Sequence, residues 1–425
     1  MLHIENEQVR KLLLTGHFGL EKESLRILKD GSFAHTKDPF EHDEHIVKDF
    51  CENQTEINTG IHPTAKEAIQ ELRLHNHRIY EQLKKQPERE YLWLFSNPPH
   101  IHNEADIPIA VFHGQHESKS RYRQYLSDKY GRYKMTFSGI HVNYSFSDEL
   151  LKADYACSDQ KVSFQGYKDR LYLDLARGLA HAGWILTAIS AASPLMDASY
   201  FEKNVFGRDT FLGMASVRCS ELGYWNEFAP VFDYSSIENY AQSIRHYVQR
   251  GFLRAPSELY YPIRIKPPGE NNLDSLLKHG INHIELRMFD LNPLCYDGVE
   301  EKDILFAQLL ILWIVSTPCH PFEESDQVHA VQNFKNAAHY DLKTVRMITP
   351  YGANTSIADA AIQLIEEMED FYQTVHINAQ EILSFQKDKF VDAQNRYAWK
   401  IRKLYGDGFT QKALALAIRR AEEEG

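Results

Sequence analysis

Five cysteines are scattered through 425 residues, at Cys51, Cys157, Cys219, Cys295 and Cys319. Their number is odd and no two form a C-x-x-C pair. A disulfide framework and a zinc–thiolate centre are therefore not expected, and a reducing cytoplasm is the simplest setting. Glycine-rich phosphate loops are also missing: neither G-x-x-x-x-G-K-[S/T] nor G-x-G-x-x-G occurs. A nucleotide would have to be held through side chains and metal ions instead. Positive charge is in deficit, with a formal net charge of −12. That disfavours nonspecific binding to nucleic acid or to an anionic membrane. The longest apolar runs, "GWILTAISAASPLM" and "ILFAQLLILWIV", fall short of the roughly 20 residues a membrane span needs. They read as buried core helices. The N-terminus "MLHIENEQVRKLLL" lacks the layout of a signal peptide. No repeat, low-complexity tract or Gly/Ser/Pro-rich linker divides the chain. The expectation is one catalytic domain over residues 1–425 with helical insertions.

What is present is the balance of a globular protein, 43% hydrophobic and 25% charged. Helical periodicity appears in "PTAKEAIQELRLHNHRIYEQLKK", where Ala68, Ile69, Leu72, Ile79 and Leu83 recur on one face. It appears again in "DRLYLDLARGLAHAGWILTAISAAS", "SIENYAQSIRHYVQRGFL", "KDILFAQLLILWIVST" and most of residues 357–425. Strand-like pieces are fewer. In "GLEKESLRIL", an extended chain puts Glu21, Glu23 and Leu25 on one side and Leu20 and Lys22 on the other. "TFSGIHVNYSF" opposes Ile140, Val142, Tyr144 and Phe146 to His141, Asn143 and Ser145. "INHIELRMFDLNP" opposes Ile284, Leu286 and Met288 to His283, Glu285 and Arg287. "CENQTEINTG", if extended, groups Glu52, Gln54 and Glu56; if helical, it groups Asp49, Glu52 and Glu56. Thr55 and Ile57 favour the strand.

Four extended pieces thus each carry a polar face, and their other faces are mostly apolar. That pattern predicts an α+β fold: an antiparallel sheet covered by helices on one side, with a polar concavity on the other. A Glu-x-Glu pair on a strand is ordinarily a solvated face, and Glu285 with Arg287 is ordinarily a same-face ion pair. Recurrence on several strands changes the reading. Adjacent carboxylates raise one another's pKa unless a cation lies between them. Oxygen-rich clusters suit Mg2+ or Mn2+, and such ions bridge nucleotide phosphates in phosphoryl transfer. "HIHNE" (His100 to Glu104) and "HGQHES" (His113 to Ser118) read as surface or structural clusters in a chain with 21 histidines. "SNPPH" (Ser96 to His100) reads as a rigid turn or a pocket lip.

"GLEKESLRI", "KDFCENQTEI", "YRQYLSDKYG…SGIHVNYSF", "SVRCSELGYWN", "YYPIRIK" and "GINHIELRMFDLNP" occur in this order. Together they resemble the successive blocks of bacterial glutamate–cysteine ligases, including the form fused to a glutathione synthetase module. The resemblance covers residues 17–64, 120–146, 213–228 and 258–300. It implies a glutamine synthetase-like fold, a bent antiparallel sheet forming a funnel with helices outside. It implies metal ligands at Glu21, Glu23, Asp49, Glu56, His141 and Glu285. The strand reading reaches all of these but Asp49, and proposes Glu52 and Gln54 instead. The resemblance further implies an acceptor pocket of Phe50, Tyr122, Leu126, Arg218, Tyr224 and Tyr260. Arg123, Arg264 and Arg287 fall in matching blocks as phosphate or carboxylate contacts. Two departures stand out. Asn58-Thr59-Gly60 closes the Glu56 strand where the family has Thr-Pro, and Ser96-Asn97-Pro98 replaces Ser-Met-Pro.

The implied reaction is ATP-dependent joining of the L-glutamate γ-carboxyl to the L-cysteine amine through γ-glutamyl phosphate, with Mg2+ or Mn2+. Glu285, Arg287 and Arg218 would act at the reacting groups. No ATP-grasp module is expected within the chain, so a separate glutathione synthetase would act downstream. The rivals are a superfamily member that glutamylates another amine, a metal-dependent hydrolase, and a non-catalytic binding protein.

Overall fold

The computed structural model describes all residues except 115–116, 202–208, 319–321, 349–353 and 425. Cys319, Gln115 and His116 lie outside the described residues. The four described cysteines are unpaired.

Eleven strands occur among the described residues. They are β1 (Gly16–Ile27), β2 (Ile46–Lys48), β3 (Gln54–Asn58), β4 (Tyr91–Leu92), β5 (Gly139–Phe146), β6 (Leu195–Asp197), β7 (Asp209–Phe211), β8 (Ile263–Lys266), β9 (His283–Asp290), β10 (Arg346–Ile348) and β11 (Asn354–Ser356). The main sheet has the order β2-β3-β1-β5-β9-β8, with β4 added to the end of β1. Every pairing in it is antiparallel. β6 with β7, and β10 with β11, form two small separate ladders. The expected α+β class and bent antiparallel sheet are what the chain forms. The bend has a local cause. Ile140 pairs with Phe289 but Val142 pairs with Leu286, so β9 carries one extra residue opposite His141. Such a bulge sharpens the local twist.

The apolar faces of the strands lie against helices, as the alternation predicts. Leu20, Ile140, Val142, Ile284 and Leu286 are all buried. Helix Ala65–Leu83 crosses behind β1, and Thr64 caps it by accepting from the Glu67 N–H. The two apolar runs become helices Trp184–Ser190 and Glu301–Ser316, both mostly buried. The long helical pattern before the first of them breaks at Gly183. A Cβ there would lie 2.5 Å from the Leu179 carbonyl oxygen, so no larger residue fits that junction. No helix among the described residues is long and apolar enough to cross a membrane.

The back of β1 also carries charge. Lys22 is buried and donates to Asn76 Oδ1 (3.1 Å) on helix Ala65–Leu83. Burial pulls its pKa down to about 8. Arg26 is fully buried, and its Nη1 lies 2.8 Å from Glu90 Oε2. Its Nη2 donates to the carbonyl of Glu52 (2.9 Å), which ties β1 to the turn before β3. Removing one partner of a buried ion pair leaves the other charge stranded, at about 3–5 kcal/mol. Glu90→Ala is therefore expected to lower unfolding stability by about that amount in urea denaturation; a loss below about 1 kcal/mol would contradict the buried-pair reading.

Candidate active site

The polar face of the sheet forms the wall of one cleft. Strand register decides which side chains meet there. Glu21 sits directly across from His141, Glu23 from Glu56, and Arg264 from Glu285. His141 Nδ1 lies 2.8 Å from Glu21 Oε2 and 3.4 Å from Glu285 Oε1. Its Nε2 lies 3.8 Å from Glu23 Oε1. Asn143 donates to Glu21 Oε1 at 3.0 Å. Glu285 is fully buried between two cations, with Arg287 Nη1 at 2.7 Å and Lys266 Nζ at 3.0 Å.

All fifteen site residues implied by the resemblance line this single cleft; Glu52 and Gln54 do not. Phe50 follows β2. Tyr122, Arg123 and Leu126 come from helix Glu117–Tyr130, and Arg218 and Tyr224 from the loop 212–236. Tyr260 lies three residues before the start of β8. The rings of Tyr224 and Tyr260 are 3.8 Å apart between centroids. Arg123 donates to the Asp49 carbonyl (2.7 Å), and its guanidinium lies 4.5 Å from the Phe112 ring centre. Arg218 donates to the carbonyls of Arg287 (2.8 Å) and Phe289 (3.3 Å).

The piece "CENQTEINTG" needs correction. It is a strand from Gln54 onward, and Glu52 lies in the turn before it. There Glu52 pairs with Lys48 at 3.0 Å and accepts from the Val111 N–H. Gln54 has the expected face but not the expected role. It is buried, and its amide donates to the Phe137 carbonyl (3.0 Å). The residue that takes the place given to Glu52 is Asp49. Its N–H donates to the Gln54 carbonyl (3.1 Å), closing the tight connection between β2 and β3. A three-residue strand such as β2 has no room to display alternation, so the strand pattern does not reach Asp49, and only the helical alternative grouped it with Glu56. Lys266, Lys134, Ser257, Met135 and Phe137 also line the cleft. Lys266 had a signal: it shares a face with Arg264, two residues along β8. His100 lies outside the cleft, with Nδ1 2.9 Å from Asp197 Oδ1. "SNPPH" is a buried structural turn: Ser96 accepts from the Leu291 N–H and Asn97 donates to the carbonyls of Ser193 and Leu195.

The electrostatics divide the carboxylates. Burial pushes Glu285 up, but Arg287, Lys266 and Arg264 outweigh it and hold the group well below the usual range. Burial and Glu285 likewise push Glu21 up, and His141 and Lys266 bring it below. Glu56 is the uncompensated one. Burial first, then Asp49, Glu21 and Glu23, hold its carboxyl well above the usual range. Glu23 is also raised, by burial ahead of the charge of Asp49. The set Glu21, His141 and Glu285 brings ligand atoms close enough for one ion. The surrounding donors are oxygen-rich and uncompensated, which suits a hard divalent cation. The two thiols nearest the cleft are poor nucleophiles. Burial raises both Cys51 and Cys219, the latter to about 11.

Residues 1–252 and 248–337 match the family described as glutamate–cysteine ligase. The chain belongs to that family. It is 32% identical over 413 residues to the glutathione biosynthesis bifunctional protein of Listeria innocua, covering 94% of this chain and 53% of that protein. With the bifunctional protein of Clostridium perfringens it shares 30% identity over 433 residues, covering 99% and 55%. The chain therefore spans about half the length of the curated relatives it matches. Its fold superposes on the bifunctional glutathione synthetase of Pasteurella multocida with a TM-score of 0.84 at 24% identity, over 99% of this chain and 54% of that one. It also superposes on the glutamate–cysteine ligase of Francisella tularensis, solved in complex with AMP, with a TM-score of 0.84 at 21% identity, over 96% and 89%.

A carboxyl whose folded pKa is raised costs stability once pH exceeds its ordinary value. Glu56→Gln is thus expected to raise Tm of the metal-free protein at neutral pH by about 1–3 °C. Calorimetry in a chelating buffer checks this, and a lowered Tm would contradict the uncompensated charge.

Proposed function

We propose that the cleft joins the γ-carboxyl of L-glutamate to the amine of L-cysteine at the expense of ATP, through γ-glutamyl phosphate. The observation that carries this reading is the density of opposite charge on one wall. Five carboxylates and His141 lie there among Arg264, Lys266 and Arg287, beside an aromatic pocket that contains Arg218. Residues 1–425 are read as one catalytic domain, supported by a core cluster that runs from Leu2 to Ala421. The family membership and the fold of the two structural relatives support the same reading. A cytoplasmic setting and a glutathione synthetase activity acting downstream are part of it.

The donor set fits a divalent cation, because Glu56 and Glu23 are held above their usual range with no cation of the protein sufficient to lower them. Glu21, Glu23, Asp49, Glu56, His141 and Glu285 would hold Mg2+ or Mn2+. When bound, such ions neutralise the phosphate charge that builds as the γ-phosphoryl group moves.

The protein's own groups supply the rest. A carboxylate is a poor acyl donor because its oxygen leaves badly. Phosphorylating it supplies phosphate as the leaving group. That step brings anions together, and Arg287 and Arg264 face it with fixed guanidinium charge. Burial would weaken Arg264, and it lowers that group. Arg287 is raised instead, because Glu285, Glu21 and Glu23 outweigh its burial. Arg123 reaches the same cleft from the helix. On the acceptor side, Arg218 presents a planar fork that matches an α-carboxylate. Phe50, Tyr122, Leu126, Tyr224 and Tyr260 wrap the thiol end. The raised pKa values of Cys51 and Cys219 argue against a thioester route.

The test is ADP release with each amino acid omitted in turn. Turnover should require glutamate, ATP and an amino-acid acceptor together. Oxygen-18 in the γ-carboxyl of glutamate should appear in the released phosphate, one atom per turnover. ADP release independent of glutamate, or unlabelled phosphate, would sink the reading. Arg218→Lys should raise KM for cysteine by at least about tenfold and leave KM for ATP nearly unchanged. 2-Aminobutyrate should be accepted and cysteamine should be poor; equal rates with cysteamine would instead support a ligase for carboxylate-free amines.

A further inference from the structure

Arg218 is held on a seat that only glycine can provide. A Cβ built on Gly139 would lie 2.3 Å from both Cζ and Nη2 of Arg218 and 2.6 Å from its Nε. Three atoms of the guanidinium are thus nearly equidistant from that point, so its flat face rests on the backbone at the start of β5. The same residue donates its N–H to Glu23 Oε2 at 2.9 Å. Its register partner is Asp290. Asp290 Oδ1 lies 4.0 Å from Arg218 Nη1 and accepts from Ser216, while Oδ2 accepts from Ser193 and the Ala192 N–H. The bulge in β9 completes the seat. An extra residue disrupts the ladder there, and the Arg287 carbonyl accepts from Arg218.

We propose that Gly139 is a positioning residue for acceptor recognition: its missing side chain lets the Arg218 guanidinium lie against β5 and aims its remaining N–H groups into the acceptor pocket beside Tyr224 and Tyr260. This rests on the reading of Arg218 as the acceptor's carboxylate clamp. It adds that the clamp's direction is set by a residue that touches no substrate.

Two glycines flank Arg218, and the collisions differ in kind. At Gly223 a Cβ would lie 1.8 Å from the Arg218 carbonyl oxygen, a backbone atom that cannot move without moving the loop. Substitution there should damage the fold. At Gly139 the atoms struck are the far end of a flexible side chain. The backbone at Gly139 lies outside the left-handed region, so alanine fits its φ without strain. The N–H to Glu23 survives, because it belongs to the main chain. The effect of Gly139→Ala should therefore fall on the direction of Arg218 and not on stability. A shift of about 1 Å in a positioned group can cost on the order of 10²-fold.

The test is a double-mutant cycle on the full chain with Gly139→Ala, Arg218→Ala and the pair. Gly139→Ala should raise KM for cysteine by at least about tenfold, with KM for ATP and for glutamate within about twofold and Tm nearly unchanged. In the Arg218→Ala background the same change should add almost nothing, since the group it displaces is gone. The proposal is overturned if Gly139→Ala leaves KM for cysteine unchanged while Arg218→Ala raises it. It is overturned equally if the Gly139→Ala loss persists in full without Arg218, or if it falls on ATP as much as on cysteine. If Arg218→Ala itself leaves KM for cysteine unchanged, the clamp reading fails and the positioning role falls with it.

Discussion

Like charges set side by side at strand spacing are the constraint to which the rest of this structure answers. Glu21 and Glu23 share one face of β1, and the register places Glu56 beside Glu23 and His141 beside Glu21. Glu285 comes in from β9. Neighbouring carboxylates at this spacing destabilise one another unless cations intervene. The protein supplies some of that charge itself. Lys266 and Arg287 hold Glu285 ionised, and His141 bridges toward Glu21. It leaves Glu23 and Glu56 without enough. That imbalance is held in place by a sheet whose other face is sealed with apolar side chains and helices, so the carboxylates cannot relax apart. Burying charge this way costs stability, and natural active sites commonly carry such a cost.

The aromatic side of the cleft, proposed to take the acceptor, is built on a different principle. Here the fixed element is an aromatic wall with one arginine, and precision comes from contacts to backbone. Arg218 gives two hydrogen bonds to carbonyls of β9. Tyr224 follows it round a tight turn closed by Gly223, and its N–H returns toward the Arg218 carbonyl at 3.4 Å. The loop is anchored from behind by Asp290, which gathers Ser193, Ser216 and the Ala192 N–H. The carboxylate and aromatic ends of the cleft therefore meet on β9, where Arg287 contributes its side chain to one and its carbonyl to the other.

Much of this was legible from the residues because alternation is a two-state signal. His141 and Glu285 sit in strands where the polar and apolar faces separate cleanly, and their neighbours Ile140, Val142, Ile284 and Leu286 are buried as expected. The helices followed from 3.6-residue spacing for the same reason. Legibility failed where an element was too short or a side chain was consumed locally. Asp49 follows a three-residue strand, and the strand alternation did not reach it; only the helical alternative and resemblance to a family pointed to it. Gln54 occupies the right face but spends its amide on the Phe137 carbonyl. Glu52 finds Lys48 one helical turn's spacing away and leaves the cleft altogether. The bulge opposite His141 could not be read either, because inserting one residue into β9 leaves no mark on the local composition. Lys266 shares its face with Arg264 and could have been found by extending the alternation one step further along β8.

The central claim is that the uncompensated carboxylates are a binding site for divalent cations. Electron paramagnetic resonance on metal-free protein titrated with Mn2+ tests it most directly, since free and bound Mn2+ give distinct signals. The account predicts saturable binding of at least one ion by the wild type, weakened by an order of magnitude or more when Glu23 and Glu56 are both changed to glutamine. A wild type that leaves all Mn2+ free, or a double variant that binds it as tightly as the wild type, would contradict the account.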